Sequence, residues 1–145
     1  MIVLMDEEAA ELRRIMEIGL LQPVFQPILD LRLRAILGYE ALIRGPLDGE
    51  MQSPDALFAV AARTGMTLDL EHACREASLR AFAGQRLPGR LFLNATPDAL
   101  LDERMMNGHT RALLNELGIA PNRIVIELTE NQQITDMPGI QEALL

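Results

Sequence analysis

The stretch Val24–Arg44, VFQPILDLRLRAILGYEALIR, decides the fold. Val24 to Leu31 reads as a strand broken by Pro27, which has no backbone N–H to donate and so places its strand at a sheet edge or beside a bulge. Arg32 to Ala35 is a polar turn and Ile36 to Arg44 a second strand, so the pair forms a hairpin. On its N-terminal side, Asp6-Glu7-Glu8 is an acidic helix start. Leu12, Ile15, Met16 and Leu20 then share one face at helical spacing, giving a helix over about residues 6–20. On its C-terminal side, Ser53-Pro54-Asp55 combines a capping hydroxyl, a first-turn proline and an acid ahead of Leu57, Phe58, Ala61 and Ala62, and Gly65 ends that helix.

A longer helix follows from about Thr67 to Phe82, burying Leu70, Ala73, Cys74, Ala77 and Ala81, with Gly84 as its stop. Arg90 to Ala95 is a strand, Thr96-Pro97-Asp98 is another cap signal, and a helix near His109 to Leu117 ends at Gly118. Arg123 to Thr129 is a fourth strand, and Pro138 to Leu145 starts a further helix. A hairpin followed by strands alternating with helices is the signature of an α/β protein. The later strands, RLFLNA and RIVIELT, are nearly continuous apolar runs, which suits parallel strands covered on both faces.

The 145 residues, 49% hydrophobic and 23% charged, are enough for one domain with one core. A net charge of −8, with no basic run longer than Arg13-Arg14, leaves a nucleic-acid partner without electrostatic support. All 13 basic residues are arginine, so no step needing a lysine amine can be performed within this chain. Cys74 has no second cysteine to pair with and reads as a small core residue. Without a Cys/His cluster at zinc-ligand spacing, a reducing, cytoplasmic compartment is expected. His72 and His109 stand apart and read as surface or helix-packing residues. The opening MIVLMDEEAA is too short in its apolar run for a signal peptide, and no window reaches the ~18 apolar residues of a membrane span.

In the second strand the period of two puts Glu40, Leu42 and Arg44 on one face and Tyr39, Ala41 and Ile43 on the other. Taken alone, that pattern fits an internal ion pair or a solvated edge as well as a site. Asn94 and Glu127, however, lie near the C-terminal ends of the two later strands, where α/β folds put their chemistry. Three oxygen donors on three strands are how a hard divalent cation, Mg²⁺ or Mn²⁺, is held in a barrel mouth.

These residues also sit in blocks that resemble one family. The run Phe25–Pro46 carries Glu40-Ala41-Leu42 in the context that names the EAL domain. It is followed in order by SPDALFAVAARTG, by EHAC at Glu71–Cys74, by LFLNATP at Leu91–Pro97 and by IVIELTE at Ile124–Glu130. EAL domains hydrolyse the bacterial second messenger cyclic di-GMP on an eight-stranded barrel whose first strand runs antiparallel to the rest. The resemblance implies that residues 1–145 are the N-terminal half of such a domain, a truncated TIM-type barrel holding its first four strands.

It further implies that Glu40, Asn94 and Glu127 are metal ligands, that Arg44 contacts a substrate phosphate, and that Leu42 lines the site. Gln26 would line the substrate groove, unless it is a buried amide satisfying the hairpin. Glu130 resembles the glutamate that supports a mobile loop over the metals. Family members continue into a DDFG block with metal-binding aspartates, a strand with a catalytic lysine, a further glutamate and a late glutamine, none of which occurs here. The chain alone is therefore expected not to catalyse. A non-catalytic interaction or nucleotide-sensing module is the alternative, and a homodimer through the open half-barrel is the expected assembly.

Overall fold

The computed structural model describes residues 2–129 and Pro138. The elements in chain order are α1 (Ile2–Glu17), β1 (Gln22–Asp30), β2 (Ala35–Arg44), α2 (Pro54–Thr64), α3 (Thr67–Gly84), β3 (Arg90–Ala95), α4 (Pro97–Leu101), α5 (Glu103–Met106), α6 (His109–Leu117) and, after a 3₁₀ turn at Pro121–Arg123, β4 (Ile124–Leu128). Glu130 and, apart from Pro138, the helix expected over 138–145 lie outside the described residues.

The chain divides into two compact units, Met1–Val24 with Leu42–Ser78, and Phe25–Ala41 with Leu79–Leu145. In the first, Leu12 and Ile15 of α1, Leu57 of α2 and Leu70 of α3 are buried in one cluster with Ile43 and Met51. α2 begins as its sequence dictates: the Ser53 hydroxyl accepts from Ala56 N at 3.1 Å, Pro54 opens the helix, and Gly65 closes it at φ 69° with its N–H on Ala61 O. Gly45 is required here, because a Cβ would stand 1.8 Å from the Met51 carbonyl oxygen. α1 starts four residues earlier than the acidic triplet suggests, at Ile2. No breaker separates Val3, Leu4 and Met5 from the acids, so the helix runs through them. It stops before Leu20, because Gly19 turns left-handed at φ 73° and Leu20 N donates to Ile15 O at 2.9 Å.

In the second unit the sheet has the order β1-β2-β3-β4 and is not closed. β1 and β2 form the antiparallel hairpin, and the remaining pairs are parallel. β1 is an edge strand, as Pro27 requires, and its alternation of exposed and half-buried residues slips at Gln26 and Pro27, both exposed. Gly38 faces Arg90, and a Cβ at Gly38 would lie 2.2 Å from the Arg90 carbonyl oxygen, so glycine permits this close pairing. One face of the sheet, through Leu91 and Leu93, packs on Leu79 and Phe82 of α3 and on Leu113 and Leu114 of α6. Phe25 meets Phe82 with ring centroids 6.1 Å apart. The Arg123 guanidinium lies 5.0 Å from the Phe82 centroid and donates to Gly89 O at 2.8 Å and Leu87 O at 2.7 Å, tying the start of β4 to the approach to β3.

Three expectations are corrected. Among the described residues, β3 and β4 are covered on one face only: Leu91, Leu93 and Ala95 are buried, whereas Phe92 is half-buried and Asn94 and Glu127 are exposed. The Thr96-Pro97-Asp98 cap signal is borne out, with Thr96 Oγ1 accepting from Ala99 N at 3.2 Å at the start of the short α4, while α6 is preceded by a left-handed Gly108. The hairpin turn is not polar throughout, since Leu31 and Leu33 stand exposed within it. The fourth strand is shorter than expected at both ends, because Arg123 closes the 3₁₀ turn and Thr129 follows the strand, donating its N–H to Ala95 O at 3.1 Å.

Candidate site on the open face of the sheet

Strand register assembles the site. Glu40 is the last residue of β2 paired with β3, opposite Phe92; Asn94 lies two residues further along β3, and Asn94 itself pairs with Glu127 of β4. Paired residues of parallel neighbours point to the same side, as do residues two apart on one strand, so Glu40, Asn94 and Glu127 share a face. It is the open face, opposite the side chains of Leu91 and Leu93. The Asn94 amide Nδ2 donates to Glu40 Oε1 at 3.1 Å, which closes the β2–β3 gap with a polar contact. Asn94 and Glu127 stand next to last in their strands, whereas β2 runs four residues beyond Glu40 to Arg44. Glu40 is thus at the end of a ladder rather than at the end of a strand.

Two carboxylates and a carboxamide on one face are hard oxygen donors of the kind Mg²⁺ and Mn²⁺ take. Three such donors are fewer than the about six oxygens these ions take. Half a turn of the Asn94 side-chain amide exchanges Nδ2 for Oδ1 and presents a third oxygen beside Glu40. Among the described residues, no group of three or more His, Cys, Asp or Glu side chains is placed to hold a metal. His109 is exposed, and His72 is engaged with Arg75 three residues on.

Leu42 and Arg44 belong to the first unit, where Arg44 Nη1 donates to the Ile43 carbonyl oxygen at 3.1 Å. Gln26 is exposed on β1, which removes the buried-amide alternative. The Asn94–Glu40 contact had no signal in the separate strands, because it depends on a two-residue offset that only the ladder defines. The Arg123 clamp was also missed, although an arginine opening an apolar strand marks where a guanidinium can reach the preceding loop.

A family model described as EAL domain matches residues 9–145. The probable cyclic di-GMP phosphodiesterase PdeI of Escherichia coli (strain K12) is 31% identical over 129 residues, which is 84% of this chain and 16% of that protein. The crystal structure of the Xanthomonas citri FimX EAL domain in complex with c-diGMP superposes with a TM-score of 0.81 at 22% identity, over 97% of this chain and 55% of the other. The manganese and cyclic di-GMP complex of Klebsiella pneumoniae BlrP1 gives a TM-score of 0.71 at 26% identity, over 86% of this chain and 32% of the other. The chain therefore spans about half of the FimX domain and a smaller part of the other two.

Proposed function

Because the chain belongs to the EAL domain family, we propose that residues 1–145 form the N-terminal part of a metal-dependent cyclic di-GMP phosphodiesterase barrel. The observation that carries this reading is the one-face set of Glu40, Asn94 and Glu127, joined by the Asn94–Glu40 hydrogen bond and the Asn94–Glu127 register. In it, Glu40 and Glu127 supply carboxylates and Asn94 a carboxamide oxygen to Mg²⁺ or Mn²⁺. Held there, such an ion would supply charge to polarise a phosphoryl oxygen and to acidify a water. By the family resemblance Arg44 is proposed to meet a substrate phosphate with its forked donors, Leu42 and Gln26 to line the nucleotide, and Glu130 to support a loop over the metals.

The 145-residue polypeptide carries no lysine to serve as the base or orienting amine of this family's reaction. It is accordingly proposed to bind without hydrolysing, which also supports the second reading, a nucleotide-sensing or interaction module. Relatives described as binding cyclic di-GMP support that ligand, and the proposed compartment is the cytoplasm. Isothermal titration of cyclic di-GMP with and without Mg²⁺ or Mn²⁺ tests the reading. Metal-dependent heat that is lost in Glu40→Ala is expected; heat that is indifferent to both metal and Glu40 would overturn it.

A further inference from the structure

We infer that the tip of the β1–β2 hairpin docks on an anionic lipid surface. Leu29, Leu31 and Leu33 are 62%, 84% and 76% exposed, and no residue from 26 to 38 enters any of the buried clusters. Arg32 and Arg34 alternate with these leucines. Among the described residues neither guanidinium has an ion-pair partner. Asp30, the nearest acid in the chain, is committed to the turn, its Oδ1 accepting from Arg32 N at 2.9 Å and Leu33 N at 3.1 Å. In a chain of net charge −8 this tip is thus a local patch of cationic and apolar side chains.

Its shape favours lipid over a protein partner. Ile36 and Leu37 are successive residues of β2, so they point to opposite faces of the strand, and both are exposed. A rigid partner covers one face of a ribbon, whereas an acyl and headgroup layer surrounds an inserted tip on all sides. A depression of about 390 Å³ in the same unit, lined by Phe82, Arg86, Leu87, Leu117 and Arg123, is separate from the tip. Leucines entering the acyl boundary while arginines stay at the phosphates is the arrangement expected of an interfacial anchor on anionic lipid.

Co-sedimentation of the 145-residue protein with vesicles of phosphatidylglycerol and phosphatidylcholine, against phosphatidylcholine alone, tests this. Binding is expected only with phosphatidylglycerol present, and it should weaken as salt is raised. The Leu31→Ser/Leu33→Ser variant should lose about tenfold in partitioning. The Arg32→Gln/Arg34→Asn variant should lose the salt dependence as well; asparagine suits position 34, where φ is 50°. Both change exposed turn side chains and should keep the parental far-UV circular dichroism; if the leucine pair does not, the arginine pair decides. Equal pelleting of variant and parent, or no pelleting with either vesicle, would overturn the inference. So would a hairpin-dependent change of mass by light scattering without lipid, which would identify a second copy as the occupant.

Discussion

Asn94 sits between two carboxylates in the ladder, donating to Glu40 on β2 and paired in register with Glu127 on β4. Asn94→Asp would replace the donor by a third negative charge on an open face. Cross-strand like charges cost about 0.2–1 kcal/mol, so the metal-free variant should melt lower than the parent. Mn²⁺ should relieve that repulsion, and a thermal melt in chelator against Mn²⁺ should show a larger gain for Asn94→Asp than for the parent. Cys74 offers a test by pH. Its thiol is half-buried against the first unit's core, and burial, helped by the Glu71 carboxylate, pushes its pKa from 9.0 up to about 12. The folded chain holds this proton more tightly than the unfolded one, so its contribution is complete below pH 9 and is lost between pH 9 and 12, at no more than about 1.4 kcal/mol per pH unit. Urea midpoints measured across that window should fall more steeply for the parent than for Cys74→Ala. Single residues were partly legible in the sequence. Strand periodicity and the place of a polar residue at a strand's end singled out Asn94 and Glu127. Which atoms touch depends on a register that no strand encodes by itself.

Elements were legible where a local signal fixes both ends. α2 carries a capping serine, a first-turn proline and a terminal glycine, and it begins and ends where they say. Ser53→Ala should therefore cost about 1 kcal/mol in chemical denaturation, with the slope unchanged. α1 shows the opposite case: acids favour a first turn but do not forbid helix before them, and the apolar residues ahead of Asp6 continue it. α4 and α5 were missed because helices of five and four residues are too short for hydrophobic periodicity, although Thr96 announced the first of them. Arg123 joins elements that sequence periodicity treats separately. Its two carbonyl partners and the Phe82 ring need a planar fork, so Arg123→Ala should destabilise by about 2 kcal/mol in urea titration, and Arg123→Lys should recover less than half of that.

At the scale of the whole molecule, the hairpin and the parallel strands were legible because hairpin turns and apolar strands each announce themselves, whereas the one-sided cover of β3 and β4 was not. An apolar run reads the same whether one face or two are packed. In the described residues the sheet ends at β1 on one side and β4 on the other, and its second face presents Phe92 and Val125 half-buried beside the exposed Asn94 and Glu127. Pro27 blunts the β1 edge, but Ile124–Leu128 holds no proline and no lysine, and a strand of that kind pairs readily. A net charge of −8 opposes close approach, yet the screening length of about 8 Å at physiological salt leaves short-range contacts intact. We therefore expect the 145-residue polypeptide to self-associate through the β4 edge and the open face, most simply as a twofold dimer. Light scattering across a dilution series should show mass falling toward the monomer, and Val125→Lys, which places a charge on that face, should shift the equilibrium to monomer at every concentration. The hairpin variants should leave it unmoved. A parent that remains monomeric at micromolar concentration would mean that the open face and edge are satisfied within one chain.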